Sequence, residues 1–314
     1  MTHVREVREG DLATIASHCA EARYPLNEQM LRRMILHPQT RYLCLVDDED
    51  DERILCSCVL TSVGGRALYL AMFVTPSQHR RRGYGVALIR WLLADVQQSN
   101  DSVDRVFLGA SPMSKAIFER EGFVPEEGSC NKLSMPGTVA PDAREGFLST
   151  RLDQLPDPVQ CQLADMCDQG GRLQRWSLYA SILAEATVHI LFDQTTERQD
   201  KVVAWLATRP DGKERTTLGP LMAYDVDVAS RLVGMVVRPL TRNGGPVQTV
   251  DAFTDPRSNR KSQLQESLLS RGWQLQKGFP LMTHRLARDK GEGVNTAAAP
   301  GLALHLMHPV CGVL

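Results

Sequence analysis

Apolar and polar residues recur along the chain with a period that switches between two and 3.6, the pattern of a mixed α/β polypeptide. Val4–Arg8 reads as a short strand, and Asp11, directly after Gly10, is placed to cap a helix over Asp11–Glu21. A second helical stretch covers Asn27–Leu36. Three apolar runs then predict strands at Arg41–Val46, Arg53–Val63 and Ala67–Thr75. The acidic run Asp47–Glu52 joins the first two, and its charge density suits a solvated hairpin turn. Val86, Leu88, Ile89, Leu92, Leu93 and Val96 mark the next helix. A strand at Arg105–Ala110 and a helix over Pro112–Glu121 follow, with Gly122 as the residue that ends it.

The same order then returns. Helices are predicted over Pro158–Cys167 and Leu173–Ala186, strands over Val188–Asp193, Lys201–Thr208 and Arg215–Leu221, and a helix over Val226–Val237. A strand at Val247–Phe253 and a helix at Ser258–Ser270, stopped by Gly272, complete it. The Pro- and Gly-containing stretch Pro136–Arg151 is the junction between the two copies. This gives a domain over 1–138, a second over 139–286, and a Gly-, Ala- and Pro-containing tail over 287–314 expected to be poorly ordered.

Composition narrows the function. The 314 residues carry 36 Lys and Arg against 37 Asp and Glu, so no basic excess is available for a nucleic-acid backbone. No apolar run approaches the length of a membrane span, and the charged start Met1–Gly10 does not suit a secretory signal. A cytoplasmic protein with no membrane and no nucleic-acid partner is expected. Of the eight cysteines, Cys44, Cys56 and Cys58 fall in strand-like runs. Neither Cys56-x-Cys58 nor the Cys161–Cys167 pair has the partners a zinc site requires, so reduced thiols and no metal are expected.

The distinctive chemistry lies in Arg80-Arg81-Arg82-Gly83-Tyr84-Gly85-Val86, between a strand and a helix. Two glycines one residue apart free the backbone to approach a ligand, the helix start offers unpaired N–H groups, and three guanidinium groups supply charge. Together they describe a pyrophosphate cradle. A nucleoside-triphosphate loop requires Gly-Lys-Ser/Thr, whereas Gly85 precedes Val86; a dinucleotide fingerprint requires a third glycine where Leu88 stands.

In this turn and in a second motif the sequence resembles the GNAT superfamily of acyl-CoA N-acyltransferases. The signature Gln/Arg-x-x-Gly-x-Gly/Ala reads here Arg80-x-x-Gly83-x-Gly85, and the later helix signature is matched by Ser111–Phe123 through Glu119, Gly122 and Phe123. The resemblance covers residues 3–135. It implies two GNAT-like domains, each a mixed, largely antiparallel sheet flanked by helices, with the second copy degenerate.

The resemblance also implies a site and an activity. Phe73, Val74 and Thr75 would hold the pantetheine arm of acetyl-CoA, residues Arg80–Val86 its pyrophosphate, and Ser111 and Ser114 would stand near the pantetheine amide and the thiolate. The acyl acceptor would be an amine of a small molecule or peptide. Phe118 replaces the tyrosine that often protonates the departing thiolate, and no carboxylate occurs within Leu68–Thr75, so no catalytic acid or base is assigned. Tyr69 reads as a strand packing residue and His79 as a turn residue. A non-catalytic CoA-binding protein is the competing reading. In the second copy Met222–Asp227 stands where the cradle would be, without glycine, and Asp225 reads as a helix N-cap.

Overall fold

The computed structural model describes residues 1–22, 24, 28–62, 66–99, 103–135, 146–168, 176–184, 186–193, 201–211, 215–241, 249–254, 261–270, 274–275, 279–286 and 306–307. The elements run β1 (Thr2–Glu6), α1 (Leu12–Glu21), α2 (Glu28–Ile35), β2 (Thr40–Asp47), β3 (Ile54–Ser62), β4 (Ala67–Val74), α3 (Tyr84–Ser99), β5 (Arg105–Gly109), α4 (Lys115–Arg120) and β6 (Val124–Met135). They continue with β7 (Phe147–Arg151), α5 (Asp157–Asp168), α6 (Trp176–Ile182), β8 (Thr187–Phe192), β9 (Val202–Asp211), β10 (Arg215–Ala223) and α7 (Val226–Thr241). The last are β11 (Thr249–Thr254), α8 (Lys261–Ser270), β12 (Gln274–Leu275), β13 (Phe279–Arg285) and β14 (Leu306–Met307). The mixed α/β class with largely antiparallel sheet is as the periodicity predicts.

The chain divides into two compact units, one of Met1–Glu126 with the segment that begins at Pro280, the other centred on Glu127–Phe279. In the first unit the strands lie in the order β1-β2-β3-β4-β5-β13, every pair antiparallel except β4 and β5. Strands β3 and β4 are buried along nearly their whole length, because helices cover a sheet whose residues therefore need not alternate. Leu88, Ile89, Leu92 and Val96 of α3 enter one core with Leu43, Leu45, Leu55 and Leu70.

The sixth strand of this sheet comes from far along the sequence. Leu281–Arg285 of β13 pair with Arg105–Gly109 of β5, and the Leu286 N–H donates to the Asp104 carbonyl at 2.9 Å. Met282 is fully buried in the same core as α3, and Leu286 joins it. Strand β6, which follows α4 directly, pairs instead with β11 and β12 of the second unit. The element order repeats along the chain, yet each copy's closing strand is supplied by the other stretch of sequence.

The second unit also holds a strand that the periodicity missed. Phe147–Arg151, read above as junction, form β7 and pair with β8 as β1 pairs with β2. Its residues are only partly buried, which leaves a weak alternation. Strands β10 and β11 run parallel through Thr217 and Asp251, and β14 then pairs with Leu221 on one side and with Phe253 and Thr254 on the other. Leu306–Met307 thus lie in a strand within the tail expected to be poorly ordered. Ser258, Gly272 and the rest of the tail lie outside the described residues.

Helix boundaries differ from expectation for identifiable reasons. Asp11 does not cap α1. Its carboxylate accepts two hydrogen bonds from the Arg5 guanidinium, at 2.7 and 3.0 Å, and one from the Arg8 N–H at 2.7 Å, ahead of a 3-10 turn over Glu9–Asp11. A charged, nearly buried guanidinium outcompetes a helix amide for that carboxylate. Gly122 does end α4, at φ 85°, with the Phe123 N–H closing back on the Phe118 carbonyl at 3.0 Å.

One buried histidine gives the fold an acid limit. The His189 ring stacks on Phe147, with one ring nitrogen 2.8 Å from the Thr208 hydroxyl and Nδ1 buried without a partner. Burial lowers its pKa from 6.5 to about 4. The folded chain therefore holds this ring neutral, while the unfolded chain binds a proton below pH 6.5. Stability is untouched above pH 6.5 and falls between pH 6.5 and 4, by about 3 kcal/mol in all, then levels off. His189→Gln is expected to flatten that part of a melting-temperature profile; an unchanged slope would contradict this origin.

Candidate functional site

The site is built where β4 leaves the sheet. Pairing between β3 and β4 steps from Val59–Ala71 to Ser57–Val74, so Met72 and Phe73 form a bulge, with Met72 at φ 50°. On the other side, β4 and β5 pair only through Ala67, Leu68 and Tyr69 against Arg105, Val106 and Phe107. Beyond that point β4 continues to Val74 and β5 to Gly109 without pairing. Two parallel strands that part in this way leave an opening edged by backbone polar groups.

Tyr69 secures the start of the opening. It is buried, packs edge-on against Phe107 at 5.1 Å, and its hydroxyl accepts a hydrogen bond from the Gly109 N–H at 3.2 Å. A Cβ on Gly109 would stand 3.4 Å from that hydroxyl. The tyrosine is therefore a packing residue, as the sequence suggests, with the added task of pairing an amide where the strands separate.

Below the opening lies an aromatic layer. Phe73, half-buried in the bulge, packs edge-on against Phe118 at 5.5 Å, and Phe118 against Phe123 at 5.4 Å. Phe118 is thus beside the strand end, buried and without a proton to give. Gly85, in the first turn of α3, is required by the same layer. A Cβ there would stand 3.2 Å from two Phe73 ring carbons and 3.6 Å from the Thr75 hydroxyl. Its role is to let the helix approach Phe73, which corrects the expectation that both glycines free the backbone to approach a ligand. Only Gly83 has positive φ, at 83°, and the space its Cβ would enter is open.

The three arginines differ in role. Arg80 is not a mobile charge: its Nε donates to the Thr75 carbonyl at 2.9 Å and its Nη2 stands 3.3 Å from the Glu21 carboxylate. Glu21 also accepts from the Ser77 N–H at 2.8 Å, and these donors hold its pKa below the usual carboxylate range. This clasp ties the end of α1 to the chain leaving β4. Nothing local in the sequence signals Glu21, since its partners are more than fifty residues away. Arg81, in the left-handed region at φ 62°, and Arg82 are exposed and form no ion pair among the described residues. Tyr84, Gly85 and Val86 then open α3, whose first amides have no intrahelical acceptors.

The remaining side chains are engaged locally. Thr75 donates its hydroxyl hydrogen to the Cys56 sulfur at 3.2 Å, and Val74 is buried. Burial pushes the Cys56 thiol up to about 12, so it is a protonated core group. Ser111 and Ser114 lie 2.8 Å apart through their hydroxyls, and the Ser114 N–H donates to the Ser111 hydroxyl at 3.2 Å. That turn delays the start of α4 to Lys115 rather than Pro112. His79 is buried, edge-on to Tyr84, and burial lowers its pKa. No cluster of metal-ligating side chains occurs among the described residues.

The corresponding place in the second unit is built differently. Asp225 accepts the Val228 N–H at 2.8 Å, and so caps α7 as the sequence predicts. No helix among the described residues is long and apolar enough to cross a membrane.

Residues 15–134 match a family described as acetyltransferase (GNAT) domain. A search of curated proteins finds no match. Solved structures share the fold over most of the chain. A Pyrococcus horikoshii protein described as an acetyltransferase aligns with a TM-score of 0.66 at 13% identity, over 98% of this chain and 95% of that one. A tandem GNAT protein from the clavulanic acid biosynthesis pathway aligns with a TM-score of 0.66 at 11% identity, over 92% and 100%. A GCN5-related N-acetyltransferase from Sphaerobacter thermophilus gives 0.59 at 14% identity, over 91% and 96%.

Proposed function

We propose that the chain, whose residues 15–134 match the GNAT acetyltransferase domain, transfers an acetyl group from acetyl-CoA to a primary amine of a small molecule or peptide. The observation that carries this is the parting of β4 and β5 beyond Tyr69 and Phe107, beside a turn of exposed backbone and two unpaired arginines. An extended pantetheine arm fits between parted strands by pairing with their free backbone groups. The pyrophosphate fits the N-terminus of α3, where Gly83 admits it to the backbone and Arg81 and Arg82 add charge.

In this reading the bulge at Met72 and Phe73 frees backbone from the β3 ladder next to the thioester carbonyl. A backbone N–H there stabilises the oxyanion as the amine attacks. The C–N bond forms, the C–S bond breaks, and the amine proton passes through water to the departing thiolate, with no covalent enzyme intermediate. Positioning of both reactants accounts for the acceleration. The second unit, whose helix start is capped by Asp225, holds no CoA. The pairing of β14 with both β10 and β11 supports this single-site reading. The chain works in the cytoplasm, the stretches 1–138 and 139–286 each supplying the strand that closes the other's sheet.

Phe118 favours a second reading, a CoA-binding protein without chemistry. Thiol release from acetyl-CoA, measured against amines, polyamines, amino acids and peptides, separates the two. Release with at least one acceptor is expected; CoA binding without release for any would favour the second. Phe118→Tyr is expected to change turnover by less than about threefold, because the replaced ring is already packed against Phe73 and Phe123. A gain well beyond that with unchanged CoA affinity would show that thiolate protonation limits the natural chain.

A further inference from the structure

A cleft of about 400 Å³ opens between α1, the turn joining β2 to β3, and the turn that precedes α3. Its lining includes Thr14 and His18 from α1, Glu52 and Arg53 from the hairpin, and Gln78, His79 and Arg82 from the turn. None of these groups is needed for the contacts that build the opening between β4 and β5. Within the acidic hairpin, Asp51 pairs with Arg5 and Arg8, and Asp48 with His3. Glu52 forms no ion pair among the described residues, and neither does Arg82. Arg53 has only a long contact, 3.6 Å, to Asp47.

The cleft thus presents one uncommitted carboxylate and two guanidinium groups. At its wall, Nδ1 of His79, a residue 5% exposed, is buried with no partner. Burial lowers the pKa of both His18 and His79, so neutral imidazoles, able to donate and accept, complete the lining. A ligand of a single charge sign leaves part of this set uncompensated. One that carries both signs within a few bonds satisfies it.

We propose that this cleft is an effector site for a small zwitterion of the amino-acid class, with Arg53 on its carboxylate and Glu52 on its ammonium. Gln78, His79 and Arg82 belong to the segment that also carries Gly83, and His79 packs edge-on against Tyr84 at the start of α3. Occupation therefore alters the conformation of the cradle and shifts CoA affinity, and by reciprocity CoA shifts affinity for the amino acid. The coupling rests on the proposed CoA reading; the existence of the site does not.

Calorimetric titration of the intact chain with alanine, glutamate, inorganic phosphate and putrescine tests the site. One amino acid per chain is expected to bind, with phosphate and putrescine at least about tenfold weaker. Glu52→Gln and Arg53→Gln are each expected to weaken amino-acid binding about tenfold and to leave CoA affinity in its absence unchanged. Saturating amino acid is expected to shift CoA affinity about fivefold or more. No amino-acid binding, equal binding of phosphate or putrescine, indifference to both substitutions, or an unshifted CoA affinity would each overturn the proposal. So would consumption of the bound amino acid in thiol release, which would make the cleft an acceptor site. A chain that binds amino acid but no CoA would instead sink the cradle reading, and with it the coupling.

Discussion

Gly83→Asp is expected to weaken CoA binding at least about 100-fold, or about 2.7 kcal/mol, while the melting temperature falls by only about a few degrees. Gly83 sits at φ 83°, where a side chain costs roughly 1–2 kcal/mol, yet no atom lies within 4 Å of the place its Cβ would take. The fold therefore has room for the new group. What it obstructs is whatever approaches from outside, and a carboxylate there opposes a pyrophosphate at the N-terminus of α3. Gly83→Asn separates charge from conformation, since asparagine tolerates left-handed backbone and carries no charge. Only a few-fold loss is expected for it. Calorimetric affinity for CoA in both variants decides the matter: equal losses would assign the effect to backbone strain, and no loss in Gly83→Asp would remove the phosphates from this turn.

The second large effect concerns cutting the chain. A fragment of residues 1–138 contains every motif of the donor-binding unit, but it is expected to aggregate and to bind no CoA. It lacks β13, so β5 has nothing to pair with at Arg105–Gly109 on that side, and the core loses Met282 and Leu286. Burial of one such side chain contributes about 1.5–3 kcal/mol, and five residues of ladder are lost with it. The stripped strand is also apolar, with Val106, Phe107 and Leu108 all buried in the intact chain, and an exposed edge of that kind pairs with other chains. Restoring residues 279–286 through a flexible linker is expected to recover solubility and CoA binding. Full affinity in the bare fragment would show that β13 is dispensable. A fragment of 146–314 is deprived in the same way, because β6 pairs with β11 and β12.

These two outcomes mark what the sequence makes legible. The cradle is written in adjacent residues, Arg80 to Gly85, and the end of α4 in Gly122, because backbone conformation at a turn is set locally. The repeat of helices and strands is legible through periodicity. Strand partners are not. No strand is predicted over β13, and nothing in it marks β5, some 175 residues earlier. Local spacing also mistook Asp11, since an aspartate ahead of a helix looks like a cap until Arg5 is brought to it by the pairing of β1. Glu21 was invisible for the same reason, and the uses of the two glycines were separable only once Phe73 was seen against Gly85.

The late arrival of β13 sets a clock during synthesis. Some 170 residues separate the end of β5 from the start of β13. At roughly 5–20 residues per second the ribosome takes roughly 10–30 s to deliver the missing strand. Over that interval the nascent N-terminal half presents an unfinished sheet. The yield of folded protein in the cell will then depend on translation speed through the second half and on whatever shields β5 while it waits, so codon choice across residues 110–279 becomes part of how this protein is made.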